Sequence, residues 1–326
     1  MIISSTPLRV SFLGGGSDLP AYYRRHGGAV LSTAIDQSVY VTVSRKFDSA
    51  VRVSYSRTEE VASASEVAHP LAREALNLLG IEGGIEITSI ADIPAKGTGL
   101  GSSSSFTVGL LNALHAYCGR HVPAEKLAQE SCHIEIERCG EPIGKQDQYA
   151  AAFGGFNFIR FHDDEHVEVK KVICSPNIVA GLQERLLFFY TGITRSASEL
   201  LQRQAQELAT DQCKSRGVAD MVRLAEAAYV ELCAGSTVSL GEMLHDAWRI
   251  KKRLTNGISN AVVDDAYQAA IDAGAKGGKL LGAGGGGFLM LYADPARHDD
   301  VRRALGSLRE TPFRFGAQGS SIIFVH

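Results

Sequence analysis

Two domains, each combining strands with helices, are what this 326-residue sequence predicts. Three observations carry the expectation. The chain is longer than a single ordinary core requires. Its apolar residues switch between the alternation of strands and the three-to-four spacing of amphipathic helices. From Gly154 onward, a first series of such elements gives way to a second.

In chain order, residues 9–13 read as a strand running straight into Gly14, Gly15 and Gly16. Residues 38–45 (SVYVTVSR) alternate apolar and polar, and 51–55 pair nearby. Residues 70–79 read as a helix stopped by Gly80. Residues 84–90 form a strand that leads into a loop over 92–101, after which Phe106, Leu110, Ala113, Leu114 and Tyr117 recur at helical spacing. Pro123 suits the first turn of a further helix, to about residue 139. Beyond Gly154 come strands in FNFIRF, VEVKKV and 186–190, and helices over 196–233, 240–254 and 267–273. Strands at 288–292 and 321–325 complete the series. Polar interruptions at 162–166 and 175–177 place the boundary between a first domain, 1–172, and a second, 173–326.

Composition narrows the function classes. With 45% hydrophobic and 21% charged residues and a net charge of −3, the chain has no global basic field to attract nucleic acid or an anionic membrane. A polyanion must therefore bind locally, through backbone N–H groups and a few Lys or Arg. The N-terminal residues lack the pattern of a signal peptide, and no run reaches the ~18 apolar residues of a membrane span. The six cysteines (118, 132, 139, 174, 213, 233) include no C-x-x-C pair, as expected of free thiols in the cytoplasm.

Three glycine loops punctuate the chain. In Pro94-Ala-Lys-Gly-Thr-Gly-Leu-Gly-Ser-Ser-Ser-Ser105, glycines 97, 99 and 101 allow positive φ and close backbone approach. The serine run then opens a helix, where free N–H groups and the dipole favour phosphate. The alternative reading is a flexible Gly/Ser linker, although a strand precedes the loop and an amphipathic helix follows it. No Walker A pattern occurs anywhere. The loop at 282–287 (GAGGGG) formally matches a dinucleotide fingerprint, but Phe288-Leu-Met-Leu follows it, so a tight strand–loop–strand turn is the better reading. Ser17 or Asp18, after Gly14–Gly16, can cap a short helix.

In sequence order, PLRVSFLGGGSD (7–18), GLGSSSS (99–105) and KLLGAGGGGF (279–288) resemble the three signatures of the GHMP kinases, the galactokinase, homoserine, mevalonate and phosphomevalonate kinase family. The resemblance spans nearly the whole chain. It departs in one place: from Pro94 to Gly99 the loop is one residue longer than the commonest form, with Lys96 as the insertion. Within the family, GKQDQY (144–149), YTGITRSA (190–197) and GGKLLG (277–282) are most similar to bacterial D-glycero-D-manno-heptose 7-phosphate kinases, and also to L-fucokinases.

The resemblance implies an α+β fold, with an N-terminal ribosomal-protein-S5-like domain, a C-terminal ferredoxin-like domain and the active site between them. It implies ATP and Mg²⁺ as cofactors, and phosphate binding by Lys96, Gly97, Gly99, Leu100, Gly101, Ser102, Ser103 and Ser104. Asp147 matches the carboxylate beside the acceptor hydroxyl, and Arg9 an arginine near that carboxylate. Glu137 matches the family's metal-ligating glutamate, and Ser104, with Ser103 close behind, is the hydroxyl expected beside it. On the acceptor side the matches are Asp18 with Gly15, Gly16 and Ser17, then Lys145, Arg195, Gly284 and Gly285. Each has a plainer alternative: a loop cap for Asp147, a solvated helix residue for Glu137, a structural ion pair for Arg9, an N-cap for Asp18. The run RIKKR (249–253) reads as a solvated helix face.

The activity implied is transfer of phosphate to the anomeric hydroxyl of D-glycero-D-manno-heptose 7-phosphate, for activated-heptose and surface-polysaccharide synthesis. The expected partners are the sugar phosphate and ATP, with no nucleic acid or membrane; a homodimer is compatible. The rivals are an L-fucose or galactose 1-kinase, and an inactive sugar or nucleotide sensor on the same fold.

Overall fold

A computed structural model describes residues 1–93, 97–194 and 197–326. Two long antiparallel strands, β1 (Ile2–Leu13) and β2 (Gly28–Arg45), form the spine of the first sheet. Both extend well beyond the lengths expected from apolar alternation. Residues 6–13 of β1 and 28–35 of β2 are buried on both faces, whereas residues 38–45 keep the alternation. The buried polar residues are hydrogen-bonded: Ser4 Oγ donates to Gly109 O at 2.7 Å, and Ser32 Oγ to Val10 O at 3.2 Å.

β3 (Val51–Ser54), β4 (Thr58–Val61) and β5 (Ile85–Ala91) extend the sheet from the second half of β2. β6 (Phe156–Phe161) takes residues 28–33 of β2, and β7 (Val167–Lys171) pairs with β6. The second sheet contains β8 (Leu186–Tyr190), β9 (Ala275–Leu280), β10 (Phe288–Ala293) and β11 (Arg309–Glu310), all antiparallel, in the order β11-β8-β10-β9. β12 (Ser321–Val325) then returns to pair with β1. Residues 321–325 therefore lie in the first sheet, across the boundary expected at 172/173.

The helix expected over 196–233 is two, Ala197–Thr210 and Gln212–Cys233. It breaks at Asp211, whose carboxylate caps the second by accepting from the N–H groups of Cys213 and Lys214. The helix expected to about residue 139 is α-helical only over Ala124–Cys132, then passes into a π-helical turn, His133–Arg138. Helix Ser102–Tyr117 is buried continuously from Ser104 to His115. Gly109 permits its approach to the sheet, since a Cβ there would stand 2.7 Å from Thr6 Oγ1.

One apolar core lies around the first sheet and continues onto one face of the second through Phe188, Met290 and Tyr292, and another covers the opposite face, where Trp248 is fully buried. Polar bonds also join the two sheets at their seam. Lys279 Nζ donates to Ser11 O and Phe12 O at 2.9 and 3.1 Å, and Phe288 N donates to Thr98 O at 3.3 Å. Among the described residues, no helix is long and apolar enough to cross a membrane.

Candidate active site

A cavity of about 670 Å³ opens on this seam, within the size range of small-molecule sites. One wall is the serine loop. Gly97, Gly99 and Gly101 all have φ between 74° and 78°, the left-handed region expected for them. Gly101 takes the cap position of helix Ser102–Tyr117 and supplies no side-chain cap, so the helix N-terminus faces the cavity without one. Gly99, Gly101, Ser102, Ser103 and Ser104 line the cavity; Leu100 is buried behind them and its carbonyl accepts from Arg9 N at 3.0 Å. Lys96 lies outside the described residues.

The register of β1 slips between Pro7 and Arg9, and again between Ser11 and Leu13. Such bulges re-aim side chains. Arg9 and Ser11 both reach the cavity. The Arg9 guanidinium, 3% exposed, grips Asp147 in bidentate fashion: Nε donates to Oδ1 at 2.7 Å and Nη2 to Oδ2 at 2.8 Å. Its Nη1 donates to Gly99 O at 2.7 Å. One side chain thus ties the Asp147 carboxylate to the serine loop.

The expected metal ligand Glu137 requires correction. It stands exposed on the outer side of the π-helical turn, bonded to His133 at 2.7 Å. Glu135 points inward instead: its Oε1 accepts from Ser103 Oγ at 3.2 Å and Thr107 Oγ1 at 3.0 Å, and its Oε2 from Ser104 Oγ at 2.7 Å and Gln148 Nε2. Burial pushes its carboxyl up to about 7, against the lowering effect of the Ser104, Gln148 and Thr107 bonds. Leu127, Ala128, Ser131 and Cys132 mark the buried face of the preceding helix, and Glu135 continues it by the i+4 and i+7 rule. That spacing was the signal in the sequence. A buried carboxylate with hydroxyl neighbours and no ion-pair partner among the described residues fits a hard divalent ion bound with ATP oxygens. Those residues contain no cluster of three or more His, Cys, Asp or Glu that could hold one alone.

On the acceptor side, Gly15, Gly16 and Asp18 line the cavity. Asp18 Oδ1 accepts from Gly16 N at 2.9 Å and Oδ2 from Gln146 N at 3.3 Å. Burial, then the nearby Asp147 charge, pushes its carboxyl up despite these bonds. Gly144 lets the two loops meet, since a Cβ would fall 1.9 Å from Asp18 Oδ2. Ser17 turns away: its Oγ donates to Ala29 O and accepts from Ala29 N, fixing the loop. Lys145 also lies off the cavity lining, paired with Glu165 and 4.8 Å from the Tyr23 ring centroid.

Gly284 and Gly285 are not in the lining either. A Cβ on Gly284 would strike Ile258, and Gly285 N donates to Ile258 O at 2.9 Å, so the loop's middle packs on its own domain. Gly282 and Ala283 reach the cavity in their place. Arg195 lies outside the described residues.

Among the wall residues that sequence reasoning missed, two carry polar groups of note. Gln204, from helix Ala197–Thr210, is buried in the lining beside Gly16, and its Nε2 has no hydrogen-bond partner. Lys251 is also buried there, although RIKKR reads as solvated.

Two models of one family match the sequence. Residues 63–155 match the GHMP kinases N terminal domain and 228–309 the GHMP kinases C terminal domain, together more than half the chain. The chain is 29% identical to a D-glycero-alpha-D-manno-heptose 7-phosphate kinase of Campylobacter jejuni, over 93% of each protein. It is 26% identical to a bifunctional fucokinase/GDP-fucose pyrophosphorylase of Arabidopsis thaliana, over 92% of this chain but 30% of that protein. A D-glycero-D-manno-heptose 1-phosphate kinase structure from Bacteroides thetaiotaomicron superposes with a TM-score of 0.83 at 25% identity, covering all of both chains. Lactococcus lactis galactokinase shares the fold, with a TM-score of 0.80 at 19% identity over 98% of this chain and 94% of that one.

Proposed function

This chain belongs to the GHMP kinases, and from that premise we propose that it transfers the γ-phosphoryl group of ATP to the anomeric hydroxyl of D-glycero-D-manno-heptose 7-phosphate. The observation that carries phosphoryl transfer is the Arg9–Asp147 pair, bonded through Gly99 O to the loop before an uncapped helix N-terminus. The full-length likeness to the Campylobacter heptose kinase supports the substrate.

The residues divide the work between two sides. Gly97–Gly101 and the first turn of helix Ser102–Tyr117 offer N–H groups to phosphate oxygens. Asp18, an acceptor-only group, suits sugar hydroxyls, and the free Gln204 amide suits another. Asp147 orients the attacking hydroxyl and holds its proton on one carboxylate oxygen, while Arg9 fixes the plane of that carboxylate. Glu135 and Ser104 would hold Mg²⁺, which offsets phosphate charge when bound.

The metal assignment separates two glutamates. Glu135→Gln should lower kcat about a hundredfold or more and raise the Mg²⁺ concentration needed for half-maximal rate. Glu137→Gln should stay within about twofold of wild type, as surface changes usually do. Mg²⁺ titrations of both variants decide it, and the reverse ranking would return the role to Glu137.

ADP release should be measured with the heptose 7-phosphate, the unphosphorylated heptose, L-fucose and D-galactose, with ³¹P NMR of the product. We expect the 7-phosphate to lead in kcat/KM by about tenfold to a hundredfold, the worth of one or two charge-assisted contacts to its phosphate. The two heptose relatives differ in the phosphate position their names give, so the spectrum must show phosphorus at both ends of the product. A preference for L-fucose would favour the reading that the plant relative suggests and overturn this one.

A further inference from the structure

Helix Leu240–Leu254 turns Leu244, Ala247, Trp248, Lys251 and Leu254 inward, an apolar stripe with one ammonium in it. Its neighbours in the basic run differ: Arg249 and Arg253 are exposed, and Lys252 pairs with Asp264 at 2.8 Å. Burying an ammonium costs several kcal/mol unless charge or hydrogen bonds compensate it. Lys251 Nζ has one such bond among the described residues, to Gly282 O at 2.6 Å, and no carboxylate there lies within ion-pair distance. An ammonium has three donors. The other buried cations of this wall are more fully engaged: Arg9 by Asp147 and Gly99 O, Lys279 by the carbonyls of Ser11 and Phe12.

We propose that Lys251 is a further catalytic cation, contacting the non-bridging oxygens of the phosphoryl group in transit while Arg9 is occupied in holding Asp147. The role rests on the kinase reading above. In the step it serves, the acceptor oxygen forms a bond to γ-phosphorus and the bond from phosphorus to the β–γ bridging oxygen breaks. That electron pair leaves on ADP, and the hydroxyl proton passes to Asp147. A fixed cation contributes because it opposes the charge spread over the equatorial oxygens without reorganising.

The groups facing Lys251 are Arg9 on β1, Asp18 after it, Asp147 at the start of helix Gln146–Phe153 and Lys279 on β9. Burial, then the Arg9 charge, lowers the amine to about 8, with Asp18 and Asp147 acting in the opposite sense. The amine is therefore charged below about 8 and loses its charge as pH rises through that value. An arginine there would remain charged.

The test uses Lys251→Met and Lys251→Arg in the full chain. Calorimetry without sugar compares ADP·Mg²⁺ alone with ADP·Mg²⁺ plus aluminium fluoride, a mimic of the transferring group. Wild type should bind the fluoride complex more tightly. Lys251→Met should lose about tenfold or more of that preference, keep its ADP affinity within about threefold, and transfer phosphate about a hundredfold to a thousandfold more slowly. Lys251→Arg should shift the alkaline limb of kcat/KM for ATP to higher pH and leave the acid limb in place. An unchanged fluoride preference in Lys251→Met would overturn the proposal, as would an unmoved alkaline limb in Lys251→Arg. Parallel losses of ADP affinity and Tm would reduce Lys251 to a support for Gly282, and no fluoride preference in wild type would also count against it. Failure of every sugar to react would instead refute the proposed substrate, because the fluoride comparison needs no acceptor.

Discussion

Asp147→Asn is expected to reduce kcat about a thousandfold while KM for ATP stays within about threefold. The asparagine keeps the shape and one accepting oxygen but cannot take a proton from the acceptor hydroxyl. It also breaks one of the two bonds by which Asp147 holds Arg9. Arg9 is buried to 3% exposure and would be left with a neutral partner, so stability should fall as well. Asp147 itself is about a quarter exposed, which places that cost low, at about 1–3 kcal/mol. Steady-state rates and thermal unfolding should therefore be measured together. A folded variant with kcat within about tenfold of wild type would exclude both the basic and the orienting role.

Gly101→Val should abolish measurable nucleotide binding. With φ at 77°, this position disfavours any side chain and a β-branched one most of all. The new Cβ would also sit 3.2 Å from Asp147 Oδ2 and 3.4 Å from Arg9 Cγ, so the change presses on the Arg9–Asp147 pair and on the helix N-terminus together. Gly119→Ala supplies the control: its φ is 71°, yet nothing lies within 4 Å of the added carbon. That control should lose about 1 kcal/mol of stability and bind an ATP analogue normally. Calorimetric titration of both variants separates backbone strain from damage to the site. Normal affinity in a folded Gly101→Val protein would remove this loop from phosphate binding.

The legible parts of the molecule were those whose physics is local. Gly97, Gly99 and Gly101 declared positive φ by residue type, and the spacing from Phe106 to Tyr117 declared the helix beyond them. Asp147 and Arg9 came from the family resemblance, and the structure brings them together across 138 residues of sequence. Glu137 carries the motif match, but the buried face of helix Ala124–Cys132 continues onto Glu135 and leaves Glu137 in solvent. Lys251 was hidden by its charged neighbours, although Leu244, Ala247 and Trp248 already defined an inward stripe that included it. A glycine-rich loop does not disclose by residue type that Gly284 packs on Ile258 while Gly282 faces the cavity. The pairing of β12 with β1 joins opposite ends of the sequence, and no local pattern encodes it.

The contact between the serine loop and the third glycine loop has a consequence for recombining this protein with its relatives. A Cβ on Gly99 would lie 2.4 Å from Leu281 O, one on Gly282 2.5 Å from Gly99 Cα, and one on Gly287 2.5 Å from Thr98 O. The two loops meet backbone to backbone, with no intervening side chain to adjust. They behave as the halves of a keyed joint, each shaped to the bare main chain of the other. A chimera that takes its first sheet from one parent and its second from another should assemble provided glycine is kept at positions 99, 282 and 287, whichever parent supplies it. Fragment exchange with a relative then depends on these glycines rather than on matched side chains at the joint.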